Sequence, residues 1–332
     1  MTSCENNILA SPNFLKITFH IITCLAIPIH TFGFYCIINK TPNHMSAIKW
    51  LLINLHCWCI LLDITISFLG IPYLLLPSMS GYGLGVVQSP GLFFYLGVTF
   101  ITGTSTSIFV TFENRFFILF GQQSYWKHLR KPAIIVSYIL VPLYFLYPQF
   151  IIPEQESVRQ ISWEMLDCIP ELPTDGPEPF ILSVEKTPLA ISISIAEGVP
   201  CLQCAIFFFL NVYHLKMFAR PTGISRKTVQ MQHKLVIALI IQSSVTVVLF
   251  LAPVNAIIAF VLVHYQNQSY NNLLTFALAI HGIASTLIMI FAHKPYRDFA
   301  FSSVCCLSRK PISVTVRPSN IPSRNIVFFY ST

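Results

Sequence analysis

Apolar residues in this chain run for about twenty positions at a time and then give way to short polar segments, without strand-length alternation of apolar and polar positions. A helix rises about 1.5 Å per residue, so about 20 apolar residues cross a hydrocarbon core of about 30 Å. Seven windows reach that length, approximately Phe14–Ile38, Ala47–Leu76, Gly91–Phe120, Ala133–Ile152, Thr187–Tyr213, Leu235–Val263 and Leu273–His293. A segment in lipid must satisfy its backbone internally, which leaves helices or a closed barrel, and uniform apolar runs favour helices. The pattern predicts an all-α membrane protein, a seven-transmembrane helix bundle over residues 14–293. A tail of residues 1–13 precedes it. Residues 294–332 form a second tail, a short amphipathic helix and then a disordered segment. No separate soluble domain is expected.

Composition agrees with the windows, since 54% of the 332 residues are hydrophobic and only 10% charged, far from a soluble balance. Charge adds sidedness. Seventeen of the twenty Lys and Arg follow the odd-numbered spans or sit at the helix ends facing those segments; only Lys16, Arg159 and Lys186 fall on the other side. Short loops rich in Lys and Arg stay in the cytoplasm, so the N-terminus is expected outside and the C-terminus inside. The formal charge of +7 is then a sum over two faces, roughly +15 inside and −6 outside. Basic residues divided among short loops face anionic lipid, so the lipid bilayer is a partner and nucleic acid is not. The opening "MTSCENNILASPNFLK" has no basic region ahead of a short apolar core, so the first span is expected to serve as its own insertion signal.

Within the third window, "TFENRFFILF" places Glu113, Asn114 and Arg115 in hydrocarbon surroundings. A helix entering near Gly91 reaches the inner surface near Arg115 after roughly 36 Å, where an Arg can snorkel or pair with an acid. As an isolated feature the triplet reads as an interfacial anchor. The preceding "TFITGTSTSIFVT" changes that reading, because small and hydroxyl side chains let neighbouring helices approach and hydrogen-bond. Such a helix is central. A central third helix ending in an acid and an Arg resembles the cytoplasmic switch of seven-helix receptors coupled to G proteins.

"LASPNFL", "IPIHTFGFYCIINKTP", "LLDITISFLGIPYLLLP", "FENRFF" and "HKPYRDF" narrow the resemblance to the nematode serpentine chemoreceptors of class H, over nearly the whole chain. That resemblance implies a multi-pass receptor in the plasma membrane of a sensory-neuron cilium. It also implies an odorant or pheromone-like small-molecule ligand and a heterotrimeric G protein as partners, with no cofactor. Two departures from better-known receptors stand out. Asn114 separates Glu113 from Arg115, and side chains two apart on a helix do not face each other, so Arg115 is expected to look for its partner on another helix. The seventh span carries "AHKPYR" where those receptors have an Asn-Pro-x-x-Tyr hinge.

Two acids lie within the bilayer. Asp63, mid-way along the second span, must face the bundle, either as a polar switch or as a structural acid bonded to Ser or Thr. Glu197 lies about 15 Å into the fifth span, at pocket depth, and is either a ligand contact or neutral and hydrogen-bonded to carbonyls freed by Pro200. Pro200 and Pro253 are expected to kink the fifth and sixth spans, the latter as a hinge for the inner half. Ser192, Asn255 and His281 join Glu197 as pocket candidates, each weighed against a role as interhelical glue.

Among ten cysteines, Cys4 and Cys168 are the two outside, and a thiol pair facing an oxidising space forms a disulfide. The familiar receptor bridge to the third helix is unavailable, since "VVQSPGLFF" has no cysteine. Cys305 and Cys306 follow the amphipathic stretch and are palmitoylation candidates. "CLQC" at Cys201–Cys204 has metal-like spacing but lies in an apolar helix without further ligands, so core thiols and no metal are expected. Asn267 begins an outside glycosylation sequon, while that at Asn39 faces the cytoplasm. The acidic, Pro-rich loop from Pro153 to Lys186 reads as an irregular lid. No H-E-x-x-H or G-x-S-x-G motif and no paired intramembrane acids appear, so catalysis is not expected. The functional expectation is a chemosensory G-protein-coupled receptor; the alternative is a transporter or channel, against which stands the absence of an internal repeat or of matched broken helices.

Overall fold

A computed structural model describes residues 2–4, 7–87, 89–173, 178–217, 237, 240–241, 244–245 and 247–308. Six helices are long and apolar enough to cross a membrane, and a shorter apolar helical stretch, Val247–Leu262, occupies the sixth window. The first span is Pro12–Lys40, with Pro12 in the first turn, where a missing N–H costs nothing. The second is Ser46–Ile64, extended by a π-helical turn over Thr65–Gly70. The third is Pro90–Leu119, the fourth Trp126–Leu143 with a short continuation at Leu146–Phe150, and the fifth Lys186–Met217. In the sixth, a π-turn at Val247–Leu251 runs into the helix Ala252–Leu262. The seventh is Gln268–Ala292, followed by a further helix, Lys294–Ser308, which includes Cys305 and Cys306. The basic segment between the fifth and sixth spans, from position 218 to 236, and the Ser-rich tail beyond position 308 lie outside the described residues.

The third span is the axis of the bundle. Of its apolar window 72% is buried, against 22% in the fourth and fifth. Four of its hydroxyls are satisfied within the helix: Thr102, Thr104, Ser107 and Thr111 donate to the carbonyls of Val98, Phe100, Gly103 and Ser107. That leaves a slim helix that neighbours approach closely. At Gly103 the Trp58 indole of the second span lies where a Cβ would be, and stacks on Tyr138 of the fourth, with ring centroids 6.4 Å apart.

The second window is shorter as a helix than its apolar run suggests. Helix ends at Gly70, because Pro72 disfavours helical backbone at Ile71, which adopts φ 42°. The rest of the run, Pro72–Leu75, pairs antiparallel with Ser80–Gly83, and Ser80 and Gly81 pair in turn with Ile181 and Phe180. Among the described residues, the loop expected to be an irregular lid likewise holds a helix at Gln155–Glu164 and two short strands, Cys168–Ile169 and Phe180–Ile181. Arg159 pairs with Glu178 across it.

These pieces form a roof over one end of the bundle. Thr2–Ser3 pairs in parallel with Cys168–Ile169, and the Cys4–Cys168 disulfide closes the pair. Gln266 clamps the bridge, accepting from the Asp167 N–H at 2.6 Å and donating to the Cys168 carbonyl at 2.7 Å. Tyr73 shares its hydroxyl proton between the carbonyls of Ala10 and Glu171. From the seventh span, Gln268 donates to the Leu74 carbonyl and Asn272 to that of Leu9. Asn267 caps this helix through its side-chain oxygen, which accepts from the Tyr270 N–H.

Gly103→Ala should drive a methyl into the Trp58 ring and lower stability by about 1–3 kcal/mol. Thermal unfolding in detergent checks this. The cost should shrink in a Trp58→Leu background, where the ring has gone, and an equal cost in both backgrounds would remove the packing explanation.

Candidate functional site

Directly beneath the roof lies a cavity of about 110 Å³ lined by five spans. The second contributes Thr65 and Ile66, the third Phe93, Phe94, Gly97, Val98 and Ile101, the fifth Ile193 and Glu197, the sixth Val254, Ile257 and Ile258, and the seventh Thr275 and Leu278. A smaller space of about 60 Å³ adjoins it under the hairpin, sharing Leu74, Phe93, Phe94, Ile193 and Ile257 as walls. The lining is hydrocarbon apart from three side chains. Thr275 is committed to the Asn271 carbonyl at 2.9 Å, whereas Thr65 Oγ1 is buried with no hydrogen-bond partner among the described residues. The third is Glu197, whose carboxylate accepts from Ser105 at 3.1 Å and from Thr102 at 3.3 Å, both on the third span. Its partners are therefore hydroxyls of the neighbouring helix, not the carbonyls near Pro200. The fifth helix runs unbroken through Pro200.

Of the four pocket candidates, only Glu197 lines this cavity. Asn255 is exposed on the outer surface and donates to the Leu251 carbonyl of its own helix at 2.7 Å. Ser192 is half-buried and donates to the Pro188 carbonyl at 3.0 Å. His281 is fully buried, but it lies one turn beyond Leu278 and packs on Phe250, centroids 5.1 Å apart. Pro253 occupies the second position of Ala252–Leu262, directly after the π-turn at Val247–Leu251, and that wide turn is the irregularity beside it.

Asp63 lies deeper, between the first, second and seventh spans. His30 Nε2 is 2.9 Å from its Oδ2, and the other ring nitrogen of His30 is 3.0 Å from Thr286 Oγ1. His56 Nε2 donates to the His30 carbonyl at 3.0 Å. A methyl on Gly282 would overlap the Asp63 carboxylate, so bare backbone is what lets the seventh span close on it. Any intramembrane ionisable group is a functional candidate, and that rule alone singles out His30, which the apolar pattern passed over.

At the end remote from the roof, Glu113 pairs with the fourth span and not with Arg115. Trp126 Nε1 donates to its carboxylate at 2.7 Å, Arg130 Nε lies 2.9 Å from it, and Arg130 Nη2 donates to Asn114 Oδ1 at 2.7 Å. Trp126 and Arg130 are four apart and so share one helix face, a spacing visible in the sequence. The expectation that Arg115 finds a partner on another helix is not met at Nε, which is buried and without a hydrogen-bond partner among the described residues. Neighbouring it is His293, which burial and then the Arg115 charge push down to about 4, so its imidazole is neutral near pH 7. Cys201 and Cys204 remain free thiols, and no metal-binding cluster exists among the described residues.

A roofed cavity among apolar spans and a polar cluster at the far end belong to a seven-helix membrane bundle of the rhodopsin fold. The structure is similar to that of squid rhodopsin, with a TM-score of 0.59 at 11% identity over 92% of this chain and 89% of the rhodopsin chain. The chain belongs to the serpentine type 7TM GPCR chemoreceptor family Srh, whose sequence profile matches residues 10–306. It is similar to serpentine receptor class H-72 of Caenorhabditis elegans, 25% identical over 343 aligned positions that cover 95% of this chain and 93% of that protein. It is thus a multi-pass G-protein-coupled receptor of a chemoreceptor family and not an enzyme.

Arg130→Ala should leave Glu113 buried without its cation. Removing one partner of a buried pair costs about 3–5 kcal/mol, and the low end applies because Arg130 is 22% exposed. Trp126→Phe, which removes one hydrogen bond to the same carboxylate, should cost about 1–3 kcal/mol. Thermal unfolding of the detergent-solubilised receptor measures both, and a neutral Arg130→Ala would show that Glu113 does not depend on the pair.

Proposed function

We propose that this receptor binds a small external chemical in the cavity beneath the roof and activates a heterotrimeric G protein at the opposite face beside Arg115. One observation carries the reading: the sixth-span residues that line the cavity, Val254, Ile257 and Ile258, lie immediately beyond the π-turn at Val247–Leu251 and Pro253. A ligand that presses on them acts on the helix next to its irregular segment. A molecule that fits one packing of this helix better than another shifts the population toward it by that difference in affinity. Opening of the inner half of the sixth span then gives a G protein access to Arg115.

The roofed, disulfide-bearing end faces outside and the C-terminus lies in the cytoplasm. The bias of Lys and Arg toward the segments after odd-numbered spans supports this, as does a disulfide that suits an oxidising space. Asn267 on the outer side is a glycan acceptor, and Cys305 and Cys306 at the inner side are acylation sites. Residence in a sensory-neuron cilium accords with the chemoreceptor family. Family membership also leaves the transporter alternative without support.

A screen of volatile and water-soluble chemicals on cells expressing the chain, read as calcium or cAMP, should yield an agonist. At Gly97, which lines the cavity, an added Cβ meets nothing within 4 Å, so Gly97→Leu should extend into the cavity and fill it. It should abolish the response while surface expression is kept. Arg115→Ala should keep ligand binding but lose at least tenfold in signalling. An unchanged response in Gly97→Leu would move the binding site elsewhere, and an unchanged one in Arg115→Ala would discard the inner-face role. An epitope added at the N-terminus should be reachable by antibody on intact cells, whereas one at the C-terminus should require permeabilisation.

A further inference from the structure

The chemistry of the cavity wall restricts what enters it, and this step rests on the cavity being the binding site. A carboxylate offers about four lone-pair positions and no proton. Ser105 and Thr102 fill two of those at Glu197, and Thr102 only in part, because its hydroxyl also donates to the Val98 carbonyl at 2.9 Å. Glu197 therefore retains acceptor capacity beside the cavity. Thr65 presents the complementary group. The residue is 2% exposed and lines the same cavity, and its hydroxyl is buried with no partner among the described residues. An unsatisfied buried hydroxyl costs free energy until something bonds it, and Thr275, the other hydroxyl in the wall, is already spent on its own helix. The remaining wall is hydrocarbon, which penalises any further polar group on a guest.

We infer that the cavity takes a slim, mostly hydrocarbon molecule carrying one hydrogen-bond donor, which meets Glu197, and one acceptor oxygen, which meets Thr65. Peptides and sugars are excluded by the apolar wall and the size. Alcohols bearing an ether or carbonyl oxygen are of this class.

Four chain molecules of equal length separate the terms: nonane, 1-octanol with a hydroxyl, heptyl methyl ether with an acceptor only, and 6-methoxyhexan-1-ol with both groups. Each is titrated against the purified receptor in lipid nanodiscs, and its effect on the thermal unfolding temperature is recorded. The expected order places half-saturation by 6-methoxyhexan-1-ol at least tenfold below nonane, with the other two between. Thr65→Val, which keeps shape and removes the hydroxyl, should erase the advantage of 6-methoxyhexan-1-ol over 1-octanol and leave 1-octanol ahead of nonane. Equal half-saturation for all four, absence of any shift, or an advantage that survives Thr65→Val overturns the inference. Should Thr65→Val not fold, the ranking on the unsubstituted receptor decides alone. Gly97→Leu distinguishes the two levels of the argument. Shifts that persist in it mean the cavity is not the site, whereas shifts that vanish from it but show no ranking in the unsubstituted receptor mean that only the ligand class is wrong.

Discussion

Three carboxylates that cannot reach water decide where the helices of this bundle meet. Lipid offers no hydrogen bonds, so each must take its partners from a neighbouring span. Asp63 takes His30 from the first and lies against Gly282 of the seventh. Glu113 takes Trp126 and Arg130 from the fourth, and Glu197 takes Ser105 and Thr102 from the third. These bonds tie the first, second and seventh spans into one group and the third, fourth and fifth into another. Asn54 of the second, which donates to Ser107 of the third and to Tyr138 of the fourth, joins the groups. Hydrocarbon packing fills the space between such ties but has little direction of its own, because lipid tails are as apolar as leucine.

The same constraint separates what was legible in the sequence from what was not. Helix existence followed from uninterrupted hydrocarbon, and the central place of the third span from its Thr, Ser and Gly content. Asp63, Glu113 and Glu197 announced themselves by being ionisable in apolar runs. Their partners did not, because a partner is a statement about two helices and the pattern describes one at a time. The roof was hidden for a different reason. "GIPYLLLP" is as apolar as a helix, and only Gly70 and Pro72 show that the chain turns there into a strand. Asn255 was misplaced because a polar residue in an apolar span does not reveal which face of the helix it occupies, and Gly97 and Thr65 were passed over because their importance lies in empty space beside them.

Arg115 illustrates how a tie can matter by what it leaves free. In a helix the obvious acid for Arg115 is Glu113, two residues away, yet that carboxylate is turned toward Trp126 and Arg130, and Asn114 is held by Arg130 as well. The fourth span thus occupies both polar neighbours of Arg115. Near the guanidinium, whose Nε has no hydrogen-bond partner among the described residues, lies His293, a neutral ring that does not compete as a cation. A buried donor without a carboxylate beside it has more to gain from an incoming acceptor than one already bonded, since the cost of burying it is still uncompensated.

The sixth span differs from the others in what holds it. From Val247 to Leu262 the only side chain able to hydrogen-bond is Asn255, and it bonds the carbonyl of its own helix. Over that stretch the span is fixed to its neighbours by dispersion contacts alone, each worth about 0.1–0.2 kcal/mol and replaceable by similar contacts after a small slide. The tied spans have no such freedom, because moving them strands a carboxylate. A receptor needs one element that repacks at little cost against a frame that does not, and polarity divides the helices along that line. The cavity is lined by both kinds, with Glu197 and Thr65 on the tied frame and Val254, Ile257 and Ile258 on the untied helix. A ligand that bonds the first pair and packs against the second therefore couples the frame to a stretch of the sixth span, Val247–Leu262, that side-chain hydrogen bonds do not tie to its neighbours.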